Sequence, residues 1–181
     1  MKYQVTRSLS VLGSILLLLW LTGCGSSGES VSSGIVLPAG ETISFADNIA
    51  GGAENGWSVG PESGGTWTAS DRAILKFSFG KEFDAGMAMS LDLISFVNEK
   101  NPRIDLNLKA NDVQVGSFNF NQSNSGGVVE IKIDSKTLAM NPGVLTLEFN
   151  IPNSTSPKAL GISEDIRDLG IFLMKITPSN I

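Results

Sequence analysis

An all-β, antiparallel β-sandwich of the jelly-roll kind is the fold this sequence predicts, and three features predict it. Short alternations of apolar and polar residues recur along the chain, glycine- and asparagine-rich turns separate them, and no long amphipathic helical period intervenes. About eight such stretches in about 140 residues suit two packed sheets.

The stretches are taken in chain order. Glu41–Ile49 carries Ile43 and Phe45 in alternation. Ala73–Phe79 sets Ala73, Leu75, Phe77 and Phe79 on one face and Lys76 and Ser78 on the other. Met87–Phe96 is longer, with Met87, Met89, Leu91 and Leu93 opposite Ser90 and Asp92. Ile104–Leu108 reads IDLNL, a strict period of two. In Val113–Phe120 the phase slips near Gly116, which predicts a bulge or bend there. Asn111-Asp112 between these two stretches reads as a hairpin tip. Val128–Ile133, Val144–Ile151 and Leu169–Ile176 complete the set. Ser135–Met140 and Ser163–Arg167 read as single helical turns, the second with Ser163 as its cap and Glu164 and Asp165 in its first turn.

The amino-terminal region follows a different logic. Lys2 and Arg7 precede an apolar run from Val11 to Leu21. At about eleven residues the run is too short to span a bilayer, which takes about twenty. A basic start and a short apolar core form the pattern of a secretory signal peptide. The run ends in Leu21-Thr22-Gly23-Cys24, and Cys24 is the single cysteine in 181 residues. This tetrapeptide resembles the lipobox of bacterial lipoproteins. The resemblance implies lipidation of the Cys24 sulfur, cleavage before Cys24 and a mature chain of 181 − 23 = 158 residues. The alternative is an ordinary secreted protein with an incidental cysteine near its cleavage site. Two or three acyl chains on Cys24 would anchor the protein durably, whereas one binds only marginally. Gly25 follows the cysteine where aspartate resembles an inner-membrane retention signal, so the expected location is the cell envelope, at the outer membrane. Gly25–Gly34, GSSGESVSSG, has tether composition. The expected domains are a signal peptide over 1–23, a lipidated tether over 24–36 and a sandwich over 37–178.

Composition excludes several functions. The net charge is −5 with no basic cluster, so the footprint that nucleic-acid binding needs is missing. There is no histidine, which removes Ser-His-Asp and Cys-His catalysis and the commonest transition-metal ligand. No Asp-x-Asp-x-Asp run points to calcium, and neither a metal nor a cofactor is expected.

Two stretches are not explained by strand patterning. Gly56–Thr68, GWSVGPESGGTWT, holds Trp57 and Trp67 and a lone carboxylate, Glu62, in a glycine-rich loop. Exposed indoles stack on the apolar faces of sugars and a carboxylate accepts hydroxyl hydrogen bonds; alternatively both indoles plug the end of the sandwich. Ser156–Gly170, SPKALGISEDIRDLG, connects the last two predicted strands and holds Asp165 and Arg167. An arginine beside a carboxylate-rich turn fixes a loop through charge-assisted hydrogen bonds, or it contacts a ligand. The two loops are expected to meet at one end of the sandwich, with Arg167 paired to Glu62 or Asp165.

GWSVGPESGGTWT followed by AILKFSF, and then SPKALGISEDIRDLGIFLMKI, resemble a β-sandwich accessory domain. That domain lies at the carboxyl end of bacterial membrane phosphoglycerol transferases and some cell-surface glycosyltransferases. The resemblance runs from about Leu37 to Pro178. It implies a galactose-binding-like or jelly-roll sandwich associated with envelope-glycan enzymes, and implies no catalysis. This chain carries a lipobox where those proteins carry a membrane enzyme.

Three functions follow. The leading one is non-catalytic recognition of an envelope glycan, or support of the machinery that makes one, by a lipid-anchored protein. The second is a protein-interaction module on the same sandwich. The third is a glycoside hydrolase using two of Glu62, Glu164 and Asp165, which requires a carboxylate pair at about 5 Å or about 6.5–9.5 Å.

Overall fold

In a computed structural model the described residues are 35–46, 53–59 and 62–181. Cys24, the signal peptide and the expected tether lie outside them, apart from residues 35 and 36.

The strands are β1 (Ile35–Leu37), β2 (Ile43–Ser44), β3 (Ala53–Asn55), β4 (Thr66–Trp67), β5 (Arg72–Phe79), β6 (Gly86–Ser95), β7 (Arg103–Ala110), β8 (Val113–Asn121), β9 (Gly126–Asp134), β10 (Val144–Asn150) and β11 (Ile171–Asn180). A short helix, α1 (Ser135–Ala139), links β9 to β10. The first sheet runs β1-β5-β10-β7-β8, with β3 on the same edge of β5 as β1. The second runs β2-β11-β6-β9, with β4 also on β11. The chain changes sheet between β5 and β6, β6 and β7, β8 and β9, β9 and β10, and β10 and β11. Among the described strands, β7 and β8 are the only consecutive pair that neighbour each other in one sheet. That alternation gives a jelly-roll sandwich, antiparallel except where β1 pairs parallel with β5.

The alternating residues supply the core. Ala73, Leu75 and Phe77 on β5, Met87, Met89, Leu91 and Leu93 on β6, Ile104, Leu106 and Leu108 on β7, and Leu145, Leu147 and Phe149 on β10 are all buried between the sheets. Successive strand residues point to opposite faces, so the intervening polar residues stay at the outer surface. Asn111 and Asp112 both have positive φ, 44° and 67°, as a two-residue type I′ turn requires. Asn111 does more than turn the chain. Its side chain is buried, accepts from Thr146 N at 2.9 Å and donates to Thr137 O at 3.1 Å. The β7–β8 register shifts between Leu108 and Lys109, opposite Gly116 and Gln114, which leaves Val115 as the extra residue of a bulge.

Several boundaries differ from the sequence expectation. The first described strand begins at Ile35, two residues before Leu37, and the last runs on to Asn180. Glu41–Ile49 contracts to Ile43–Ser44, with Phe45 buried just beyond and residues 47–49 outside the described set. The turn at Ser135–Met140 is α1, capped by Asp134 accepting from Thr137 N at 2.8 Å. No helical turn forms at Ser163–Arg167. The turn lies earlier, where Ser156 Oγ accepts from Ala159 N at 3.2 Å and Ser156 O accepts from Leu160 N at 3.2 Å. Ser163 Oγ only closes a two-residue turn with Asp165 N at 3.3 Å.

All the strands that lead into residues 56–71, 96–102, 121–125 and 151–170 do so at one end of the sandwich, termed here the loop end.

Candidate functional site

Both unexplained stretches lie at the loop end. Trp57 bridges to Thr68, and Ser58 N donates to Trp67 O at 2.9 Å, so residues 57–59 pair back on residues 66–68 as the arms of a small hairpin. Its tip is the Glu62–Gly65 turn, where Gly64 takes φ +97° at the third position, a type II requirement. Gly56 opens the hairpin at φ +78°, and a Cβ there would fall 2.0 Å from Arg72 O. Only glycine fits that approach.

The pairing sorts the two tryptophans onto opposite faces. Trp57 shares its face with Thr68 and points into the sandwich. It is 8 % exposed, donates from its indole nitrogen to Ile74 O at 3.0 Å and meets Phe149 edge-on at 5.2 Å. Trp57 is therefore a core plug, not an exposed stacking surface. Trp67 shares its face with Ser58 and is half-buried. Its ring packs against Phe96 at 5.9 Å and Phe172 at 5.1 Å on the outer side of the second sheet.

The second stretch is a closed loop. Thr155 and Leu169 exchange both backbone hydrogen bonds, at 3.3 and 3.1 Å, which pins its two ends together. Lys158 N donates to Asp165 O at 2.9 Å across it, and Lys100 Nζ, from the β6–β7 turn, donates to Leu160 O at 2.8 Å.

Arg167 joins the two stretches. Asp165 accepts from the Arg167 backbone N at 3.0 Å and from its guanidinium Nε and Nη2, the latter at 2.6 Å. This two-residue contact aims the guanidinium. The remaining nitrogen, Nη1, then donates to Glu62 Oε1 at 2.5 Å and to the buried Ser58 Oγ at 2.8 Å. One guanidinium thus binds two carboxylates and a hydroxyl, a geometry that arginine's planar fork allows and lysine does not. The cluster is neither dry nor fully wet: the side chains of Arg167, Glu62 and Asp165 are 35 %, 37 % and 27 % exposed. The guanidinium hydrogen bonds hold the Asp165 carboxyl below its usual range, and the Arg167 pKa is raised, first by Asp165 and then by Glu62. Glu164 is outside the cluster, paired with Lys158 at 2.9 Å on the surface.

A second joint lies beneath it. Thr68 Oγ1 accepts from Gly170 N at 3.2 Å and Ile171 N at 3.0 Å, tying the hairpin to the start of β11. Ser58, Thr68 and Lys100 were not singled out in the sequence. Ser58 stood inside the GWS motif, but only the hairpin pairing reveals that it faces Arg167. Among the described residues, no group of three or more His, Cys, Asp or Glu side chains is placed to hold a metal ion. No helix among them is long and apolar enough to cross a membrane.

No protein-family model matches the chain, and no curated protein matches it. Similar solved structures exist. One is a family CBM36 carbohydrate-binding module in complex with calcium and xylotriose: 15 % identity, 77 % of this chain, 99 % of that one, TM-score 0.42. Another is a family CBM35 module from Paenibacillus barcinonensis: 14 % identity, 77 % and 98 % coverage, TM-score 0.43. A third is a family GH115 4-O-methyl-alpha-glucuronidase: 10 % identity, 80 % of this chain but 18 % of that one, TM-score 0.49. At such identities and TM-scores none of them carries an argument about what this chain binds or does.

Proposed function

We propose that this chain is a lipid-anchored protein of the cell envelope, at the outer membrane, whose sandwich recognises a glycan without chemical turnover. The observation that carries the reading is the shared hairpin face of Ser58 and Trp67. A half-exposed indole stands on the same face as a half-exposed cluster of Arg167, Glu62 and Asp165. An indole offers an apolar ring face to a sugar, and the carboxylates keep lone pairs free for its hydroxyls. The arrangement argues against glycoside hydrolysis. A general acid needs a raised carboxyl pKa, whereas Asp165 is lowered by Arg167, and Glu62 is held by the same guanidinium. The anchor rests on the Leu21–Cys24 lipobox, and a link to envelope-glycan synthesis rests on the motif resemblance.

Calorimetry of the full chain against envelope polysaccharides tests the recognition. Binding that is lost in Trp67→Ala, with the melting temperature little changed, supports it; heat of binding unaltered by Trp67→Ala overturns it. Mass spectrometry of the mature amino terminus tests the anchor. An acylated Cys24, absent from Cys24→Ser, is expected, and a free thiol at Cys24 overturns it.

A further inference from the structure

The sandwich is closed unequally along its two sides. On one side β5 is flanked by β1 and β3, and β11 by β2 and β4. On the other side β8 and β9 end their sheets, and no described strand pairs with their outer edges. β8 carries the bulge at Val115, a device that spoils pairing with a further strand. β9 carries none. It pairs with β6 over all of Gly126–Asp134 without a register shift, and it holds no proline. A long regular edge of this kind is a template for another chain.

The phase of the hydrogen bonds decides which residues would pair. Ser95 N donates to Ser125 O at 2.7 Å, so Ser95 and Ser125 are a hydrogen-bonded pair. Counted in twos from there, Gly127, Val129, Ile131 and Ile133 turn their backbone groups to β6. Val128, Glu130, Lys132 and Asp134 turn theirs to the open edge. The side chains of Glu130 and Lys132 are exposed on the outer face of the sheet, opposite Ser90 and Ala88 of β6. Among the described residues neither of them forms an ion pair.

A lone lysine on an edge discourages an incoming strand. Glu130, two residues away, makes the edge complementary to itself. In an antiparallel pair of β9 strands the outward-turned residues must face one another, and the charges then choose the register. Centred on Glu130, the two glutamates meet. Centred on Lys132, the two lysines meet and Glu130 faces Asp134. Centred on Val129, the charges face Val128 and Gly126 and gain nothing. Centred on Ile133, Lys132 meets Asp134, but the strand ends there and only three residues overlap. Centred on Ile131, Glu130 of each copy faces Lys132 of the other, twice, over the length Val128–Asp134. The same register sets Val129, half-buried at the open edge, against Ile133 of the other copy.

We infer that β9 is a self-association edge. A second copy of this chain adds its own β9 antiparallel about a two-fold axis at Ile131, and the two second sheets become one. The interface is small, so the pair is expected to form between about 10 µM and about 1 mM protein.

Sedimentation velocity of the full chain at low salt tests this with charge swaps at two exposed positions. Glu130→Lys leaves two cations on the edge and Lys132→Glu leaves two carboxylates. Each turns both attractive pairs into repulsive ones and is expected to weaken self-association about tenfold. An equimolar mixture of the two variants is expected to regain the wild-type dimer fraction, and so is the double variant Glu130→Lys/Lys132→Glu. Association through the amino-terminal apolar segment is common to all these chains and does not follow the charges. A wild-type chain that stays monomeric throughout this range overturns the inference, and so the edge would await a strand of some other protein. Single variants that associate as the wild type does, or a mixture that fails to recover, overturn it as well.

Discussion

Arg167 and Glu62 are 105 positions apart in sequence, and their side chains meet at 2.5 Å. Glu62 sits in the tip of the Trp57–Thr68 hairpin and Arg167 in the closed loop before β11. The contact is what turns two glycine-rich loops into one braced end. Asp165 orients the guanidinium locally, and Glu62 and Ser58 receive it from the neighbouring hairpin.

Arg167→Ala removes both ion pairs at once. It leaves the buried Ser58 hydroxyl without its partner and two carboxylates facing each other. The exposure of the cluster places the cost between that of a surface pair and a buried one, at about 1–3 kcal/mol. Thermal melting should fall by roughly 3–9 °C. Arg167→Lys should recover only part of it, because an ammonium cannot make the forked contact. A melting temperature unchanged in Arg167→Ala would show that the clamp contributes nothing to the fold.

The two tryptophans should separate cleanly in mutational tests. Trp57→Ala opens a cavity beside Phe149 and should cost about 3–5 kcal/mol by denaturant titration. Trp57→Phe fills most of the space but strips Ile74 O of its donor, at about 1–3 kcal/mol. Trp67→Ala, on the outer face, should cost clearly less than Trp57→Ala. The reverse order would contradict the faces assigned to the hairpin.

The pH dependence follows from lowered carboxyl pKa values. Asp165 is lowered by its hydrogen bonds from Arg167, and Glu148 by its hydrogen bonds from Arg72, at 2.8 and 2.5 Å. A carboxyl whose folded pKa lies below its unfolded value binds fewer protons when folded. Its stabilising contribution is full above the unfolded value, about 4, and is lost as pH falls through the folded value. Melting temperature should therefore hold steady from pH 7 to 5 and fall below about pH 4. With no histidine in the chain, no side chain of ordinary pKa adds a step between pH 5 and 8. Glu148→Gln should flatten the acid limb.

The β7–β8 turn gives opposite expectations at adjacent positions. Asp112 has positive φ, so Asp112→Gly should be neutral or stabilise by about 0.5–1 kcal/mol. Asn111 also has positive φ, yet Asn111→Gly should destabilise by about 1–3 kcal/mol, because its buried amide serves Thr146 N and Thr137 O. Chemical denaturation of both variants checks the contrast.

The long strands were legible because their alternation extends over seven to ten residues, enough to fix which face is inward. β1, β3 and β4 were not, since two or three residues carry no period and form only because a neighbouring strand offers an unpaired edge. Ser163-Glu164-Asp165 matched a helix start, but the Asp165 carboxylate is taken by Arg167, and the earlier Ser156 makes the turn instead. Trp57 and Trp67 are an even number of residues apart, and their opposite destinations depend on the fold-back pairing of Trp57 with Thr68. That pairing is a property of register, which composition does not encode. The pairing of Arg167 was legible in outline, because so few cations and carboxylates occupy these loops.

The parallel seat of β1 on β5 also sets how the domain responds to mechanical load. A pull on the amino-terminal segment acts along the axis of β1, toward the loop end, and across the hydrogen bonds that join Ile35–Leu37 to Phe77–Phe79. Those bonds are loaded together, in shear. Pulled sideways, away from β5, the same bonds would instead part like a zipper, one after another. The side chain of Leu37, fully buried, resists sliding in the same direction. Such a pull thus meets its resistance at the first strand, before the sandwich behind it is strained.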